Sequence, residues 1–230
     1  MGTMRSKLGL AVLPLALAAV APAGTQPLAA QTSAGPVFAI DFTNPGLNPA
    51  HWILTLSPDG SGHFRSERGA APVDPTQGLE AANIDRDIQV SPEFAAHVFE
   101  SVHQHRLFTS DCESHMKVAF QGWKKLTYTG PDGTGSCTFN YSKDKSIQDL
   151  GESLVAVAAT MVEGARLENL LQHDRLGLDK EMEYIAGASA DGRVQQIVAI
   201  KPILEKLADD PEVMERVRKR ARVLLARGEQ

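Results

Sequence analysis

Apolar and polar positions alternate with a period of two through the first half of this chain and switch to a helical period after about residue 145. Val37-Phe-Ala-Ile-Asp-Phe42, Trp52-Ile-Leu-Thr-Leu56 and Ile84-Asp-Arg-Asp-Ile-Gln-Val90 are strand candidates. In the second of these, Trp52, Leu54 and Leu56 make one apolar face. Gly62-His-Phe-Arg65 pairs with it across Pro58-Asp59-Gly60, where proline presets φ and glycine accepts a positive one. The stretch Cys112–Tyr141 organises the rest: Trp123, Leu126 and Tyr128 precede a Gly130–Gly135 loop, and Phe139 and Tyr141 follow it. Aromatic residues flanking a second Pro-Asp-Gly turn predict a β-hairpin. Residues 66–83, rich in Gly, Ala and Pro, predict a long surface loop.

One helix interrupts the strands. Ser91 caps it, Pro92 takes its first position, and Ala95, Val98, Phe99 and Val102 give it a buried stripe ending near Arg106. Beyond Lys145 aromatic residues almost vanish. Ile147, Leu150, Leu154, Val157 and Met161 mark a long amphipathic helix that continues or restarts over 164–173. Leu178–Ala190 follows, then Val194–Ala208 with a kink at Pro202, then a helix capped by Asp210 at Pro211. The stripe of this last helix is Val213, Met214, Val217, Ala221, Leu224 and Leu225.

These elements predict an α+β fold: a small antiparallel sheet with one helix, helices lying on one face, followed by a C-terminal all-helical module. The expected division is 1–30 signal peptide, 31–36 linker, 37–145 α+β sheet domain and 146–230 helical module. Arg5 and Lys7, the apolar run Leu8–Ala23 and small residues before Ala23 or Ala30 have the form of a secretory leader cut after one of those alanines. The run is about sixteen residues and holds Pro14 and Pro22, against the roughly 20 apolar residues of a membrane span. The expected location is therefore periplasmic or secreted, without stable membrane insertion after cleavage. In such a compartment the two cysteines, Cys112 and Cys137, are expected to form a disulfide, closing about 25 residues and contributing roughly 3 kcal/mol. Simple hairpin register puts Cys137 near Tyr128, so residues 108–113 must fold back beside the second strand to reach it.

The formal charge is −5, and the leader carries +2 of it, leaving −7 on the rest. That balance excludes a general nucleic-acid binder. The last two helices, with Pro202, Asp210 and Arg216, resemble a HEAT-type helical hairpin, and Leu167-Glu168/Leu170 echoes Leu204-Glu205/Leu207 at 37 residues. The whole chain also resembles uncharacterised secreted bacterial proteins that pair a small sheet domain with a tail like His173-Asp-Arg-Leu-Gly-Leu-Asp179. That resemblance implies architecture and export, and no activity.

Chemical constellations are thin. His103-Gln-His105, with His97 and His115 nearby, falls at a helix end where i and i+2 diverge, so no metal site is expected. Ser153 lacks the setting of a nucleophile elbow, and Cys137 reads as a disulfide partner instead of a nucleophile. Asp85/Asp87 and Asp209/Asp210 read as a strand's polar face and a helix cap. No phosphate loop is present, and no cofactor, catalytic or metal residue is assigned. The arginines and lysine of the last helix (Arg216, Arg218, Lys219, Arg220, Arg222, Arg227) are expected to flank a docked stripe. Three functional readings stay open: an exported, non-enzymatic protein acting through protein contacts in the cell envelope, which is preferred; an envelope hydrolase with dispersed residues; and a small-ligand binder using an aromatic sheet face of Trp52, Trp123, Tyr128 and Tyr141.

Overall fold

Six antiparallel strands lie in the order β4-β3-β2-β1-β5-β6: β1 (Val37–Thr43), β2 (His51–Leu56), β3 (Ser61–Glu67), β4 (Ile84–Gln89), β5 (Trp123–Gly130) and β6 (Gly133–Phe139). The computed structural model describes residues 35–69 and 83–228. The expected leader, residues 31–34 of the expected linker and the centre of the expected 66–83 loop lie outside the described residues. All described residues belong to one compact unit.

The period of two decides which face of the sheet is covered. Phe38, Ile40 and Phe42 of β1, Trp52, Leu54 and Leu56 of β2, Phe64 of β3, and Leu126 and Tyr128 of β5 all point to one side and are buried. Phe42 stacks on Trp52 with ring centroids 5.0 Å apart, and Trp52 leans on Phe64 at 6.1 Å. Over this side lie α1 (Pro92–Gln104) and α2 (Lys145–His173), and their apolar stripes join the sheet's in one continuous cluster with those of α3 (Gly177–Ala190), α4 (Lys201–Asp209) and α5 (Glu215–Gly228). The fold is α+β with a helical C-terminal region, as the periodicity predicts. Ser91 caps α1, its hydroxyl accepting the Phe94 N–H at 3.2 Å, and Asp144 caps α2. A two-pronged pair, Arg86 to both oxygens of Glu168 at 2.8 Å each, fastens β4 to α2. No helix among the described residues is long and apolar enough to cross a membrane.

Four local expectations change. The central turn is tighter than a Gly130–Gly135 loop: Gly130 already pairs with Gly133, leaving only Pro131 and Asp132 between the strands. The shorter turn slides the register by two, so Cys137 faces Leu126 and Tyr128 faces Gly135. Val194–Ala208 is not one kinked helix. The Thr160 hydroxyl grips both the N–H (3.1 Å) and the carbonyl (2.5 Å) of Gln195, Gln196 turns left-handed at φ 56°, and a 3-10 turn at Ile197–Ile200 leads into α4. Pro202 thus sits in the first turn of α4, where its missing N–H costs nothing. Finally, Asp210 caps a turn, accepting the Glu212 N–H at 2.9 Å, and α5 begins only at Glu215.

The predicted fold-back is present. Cys112 and Cys137 are bonded, with Cα atoms 5.7 Å apart. The segment before Cys112 runs along the outer edge of β6 so closely that a Cβ on Gly135 would lie 2.0 Å from the Leu107 carbonyl oxygen. Past Cys112 the Ser114 N–H bonds the Tyr141 carbonyl at 2.9 Å. One free edge of the sheet is thereby sealed.

Candidate interaction surface

Downstream of the disulfide, residues 113–122 belong to neither helix nor strand, with a left-handed His115 and a tight turn from the Met116 carbonyl to the Val118 N–H, until β5 begins at Trp123. The polar tethers of this segment are specific. Asn140, just past β6, accepts the Gln121 N–H on its side-chain oxygen at 2.6 Å and donates its Nδ2 to the Ala119 carbonyl at 3.2 Å. One amide side chain thus satisfies two backbone groups two residues apart, as a neighbouring strand would. Glu113 accepts the Asn140 N–H at 2.6 Å and the His115 N–H at 3.2 Å. Burial pushes the Glu113 carboxyl up, and these N–H groups more than offset it, holding it below the ordinary glutamate range. Lys124 completes the support from beneath. Its ammonium is buried, donates to the Asn140 carbonyl at 3.1 Å and lies 5.4 Å from the Phe139 ring, and burial lowers its pKa.

What this scaffold presents is apolar. Met116 is 53% exposed, Phe120 50% and Trp123 47%, with Val118 exposed between them. Phe120 and Trp123 meet edge to face at 6.0 Å. Four large apolar side chains within eight residues, held on a disulfide-bonded and hydrogen-bonded segment, form a patch that a monomer does not need for its own core. Trp123 also connects it to the sheet's uncovered side, where Trp123, Thr43, His51 and Glu67 stand side by side.

That uncovered side is polar and of mixed sign. His51 contacts Asp41 at 3.0 Å, and His63 is gripped by Asp85 (2.9 Å) and Asp87 (3.0 Å). The hydrogen bond that His63 donates to Asp87, helped by Asp85 against the opposing effect of burial, raises the His63 pKa. The reading of Asp85/Asp87 as a strand's polar face misses this histidine, because the pairing of β3 with β4, which sets His63 opposite Asp87, is a property of register.

The other candidates separate. His103 contacts Asp132 at 3.4 Å and His115 contacts Asp111 at 2.8 Å, so the four histidines between 97 and 115 do not converge. No group of three or more His, Cys, Asp or Glu among the described residues is placed to hold a metal ion. The Asp132 carboxylate also accepts the Tyr128 hydroxyl at 2.5 Å, and burial followed by this bond pushes that phenol up to about 12. Trp52 and Tyr128 face the core while Trp123 faces outward, so the four aromatics do not share one face. Ser153 lies inside α2, and Cys137 has no thiol. The cations of α5 are largely engaged: Arg216 and Arg220 both bind Asp179 of α3, Arg218 binds Glu215, and Arg222 donates to the Ala208 carbonyl at 2.9 Å.

One cluster not visible in the chain order resembles a hydrolytic triad. Ser146 Oγ is 2.8 Å from His105 Nε2, and His105 Nδ1 is 3.5 Å from Asp144 Oδ2. Asp144 is occupied as the α2 cap, however: its Oδ1 takes both the Ser146 hydroxyl (2.7 Å) and the Ser146 N–H (3.0 Å). The 3.5 Å separation is too long to fix the imidazole tautomer as an orienting carboxylate does. A serine-directed fluorophosphonate is therefore expected to leave Ser146 unmodified by mass spectrometry, and stoichiometric labelling there would revive the hydrolase reading. No family model matches this chain and no curated protein matches it, so the assignment rests on the geometry alone.

Proposed function

We propose that this is an exported, non-enzymatic protein of the cell envelope that acts by binding another protein through the Met116–Trp123 strip. The observation that carries the reading is the combination of exposure and restraint. A loose apolar loop would collapse or cost ordering entropy on binding, whereas this one is held in place by Cys112–Cys137 and by Asn140. Exposed Met, Phe and Trp are the residue types that anchor protein interfaces. The leader-like N-terminus and the disulfide support an oxidising location for it.

The test is a Met116→Ser/Phe120→Ser double variant alongside the unaltered protein. Both sites are about half exposed, so the expected cost in stability is within roughly 0.5 kcal/mol. A photo-crosslinking residue at Val118 is expected to trap one protein from envelope extract, and the double variant is expected to lose that adduct. Equal recovery of the adduct from the double variant overturns the reading.

A further inference from the structure

The two edges of the sheet are treated differently. The β6 edge is sealed by the disulfide-bonded segment, whereas β4, at the far end, keeps an open trench along its outer side. The backbone parity of β4 follows from one bond: the Val90 N–H donates to the Gly60 carbonyl at 2.9 Å, toward β3. Alternation then turns the backbone groups of Ile88, Arg86 and Ile84 toward β3, and those of Asp85, Asp87 and Gln89 outward. None of these outward groups has a backbone partner among the described residues.

Beside them lies a cleft of about 740 Å³, with Asp87, Ile88 and Gln89 on one side and Val198, Ala199 and Pro202 on the other, together with Lys201 and Glu205, which pair with each other at 3.7 Å. A second cleft of about 820 Å³ shares Gln89 and Val198 with the first and extends the trench past Ser91. The 3-10 turn and α4 form the far wall of this trench.

We infer that the β4 edge takes an extended segment of a partner protein as a seventh strand, with basic residues alternating with small apolar ones. The alternation is set by the two faces of β4. On the open face the incoming side chains stand beside Asp85 and Asp87, which are 65% and 96% exposed and share a single histidine, so that face calls for Lys or Arg. On the other face they stand beside Ile88 and meet Val198, Ala199 and Pro202, so that face calls for Val or Ala. The outward N–H and carbonyl groups supply affinity, and the alternation supplies selectivity. This surface lies at the opposite end of the sheet from the Met116–Trp123 strip and does not depend on it.

The experiment uses the full chain and the synthetic peptide acetyl-Lys-Val-Lys-Val-Lys-amide, with acetyl-Glu-Val-Glu-Val-Glu-amide as its control. Backbone amide exchange is read by NMR. At about ten times its Kd the basic peptide is expected to slow exchange at Asp85, Asp87 and Gln89 about tenfold, leaving Ile84, Arg86 and Ile88 unchanged. An Asp85→Lys/Asp87→Lys variant, altered only at exposed side chains, is expected to exchange the preference toward the acidic peptide. The inference is overturned by no protection along β4 at millimolar peptide, by equal protection from both peptides, or by protection confined to residues 116–123.

Discussion

Replacing Cys112 and Cys137 by serine is expected to lower the unfolding free energy by about 3 kcal/mol, the loop-entropy value for a closed loop of 25 residues. For a compact unit of this size that corresponds to a fall in Tm of about 10 °C. The loss has a second, local component. Without the bond the Leu107–Ser114 segment is held on β6 by the Ser114–Tyr141 and Glu113–Asn140 hydrogen bonds, worth about 1 kcal/mol each and partly exposed. Hydrogen exchange is therefore expected to rise first along β6 and through residues 113–121, well below the global transition. The Met116–Trp123 strip would then lose its restraint before the protein loses its fold. A thermal scan of the double serine variant checks the first expectation, and exchange mass spectrometry at a temperature below the melt checks the second. A Tm change under about 2 °C, or exchange that rises uniformly, would show that the disulfide is dispensable to this edge. In protein isolated from the envelope, alkylation without reductant is expected to leave both sulfurs unmodified.

Alternation marks β1, β2 and β4, because one face of each must be apolar to meet the helices, and the two Pro-Asp-Gly turns mark β3 and the β5–β6 hairpin. Neither signal locates the turn length between β5 and β6, since Gly130, Gly133 and Gly135 all tolerate a bend and the sequence pattern is equally good for a loop of two residues or six. The register of the cysteines inherited that ambiguity. Pro202 starts a helix instead of kinking one, and the sequence does not distinguish the two because a proline excludes the helix interior but leaves open on which side the helix lies.

The candidate surface was less legible. Met116, Val118 and Phe120 alternate just as Phe38, Ile40 and Phe42 do, and pattern alone does not distinguish a strand face under a helix from one facing solvent. The difference is which element covers it, and that depends on the whole topology. Lys124 is the converse case. It occupies an inward slot of β5 that alternation assigns to an apolar residue, and its ammonium is satisfied by the Gly122 carbonyl and, where the chain returns, the Asn140 carbonyl. The side chains that build the strip's support, Glu113, Lys124 and Asn140, carry no motif. Their roles come from contacts between residues as many as 27 positions apart.

Between pH 5 and 8 the protein is expected to lose stability, and a Glu163→Gln variant is expected to lose much less. Glu163 on α2, half-buried, and Glu181 on α3, buried, lie close enough that one proton between the two carboxylates is favoured over two charges. Each has a buried oxygen without a hydrogen-bond partner among the described residues, Glu163 Oε2 and Glu181 Oε1. Burial first, then Glu181, pushes the Glu163 carboxyl up to about 8 from its ordinary 4.5. Arg166 lies 2.9 Å from Glu181 Oε2, with its Nε–H off the line of a hydrogen bond, and its opposing effect on Glu163 is the weakest of the four causes. The folded chain therefore keeps a proton that the unfolded chain releases above about pH 4.5. The stability this proton confers is fully present below that pH and is lost as pH rises through the folded value near 8. Relaxation around a buried charge reduces the full linkage value, leaving an expected loss of about 3 kcal/mol across the window. In Glu163→Gln the amide N–H takes the place of the shared proton at every pH. The variant is expected to have a nearly flat urea midpoint from pH 5 to 8 and to exceed the unaltered protein at pH 8 by about 1–3 kcal/mol. Glu181→Gln should behave oppositely, because it leaves Arg166 buried without its anion and costs stability throughout the range. Urea unfolding of the three proteins at pH 5, 6.5 and 8 decides the matter, and parallel curves for the unaltered protein and Glu163→Gln would remove the shared proton from the account of how α2 and α3 are held together.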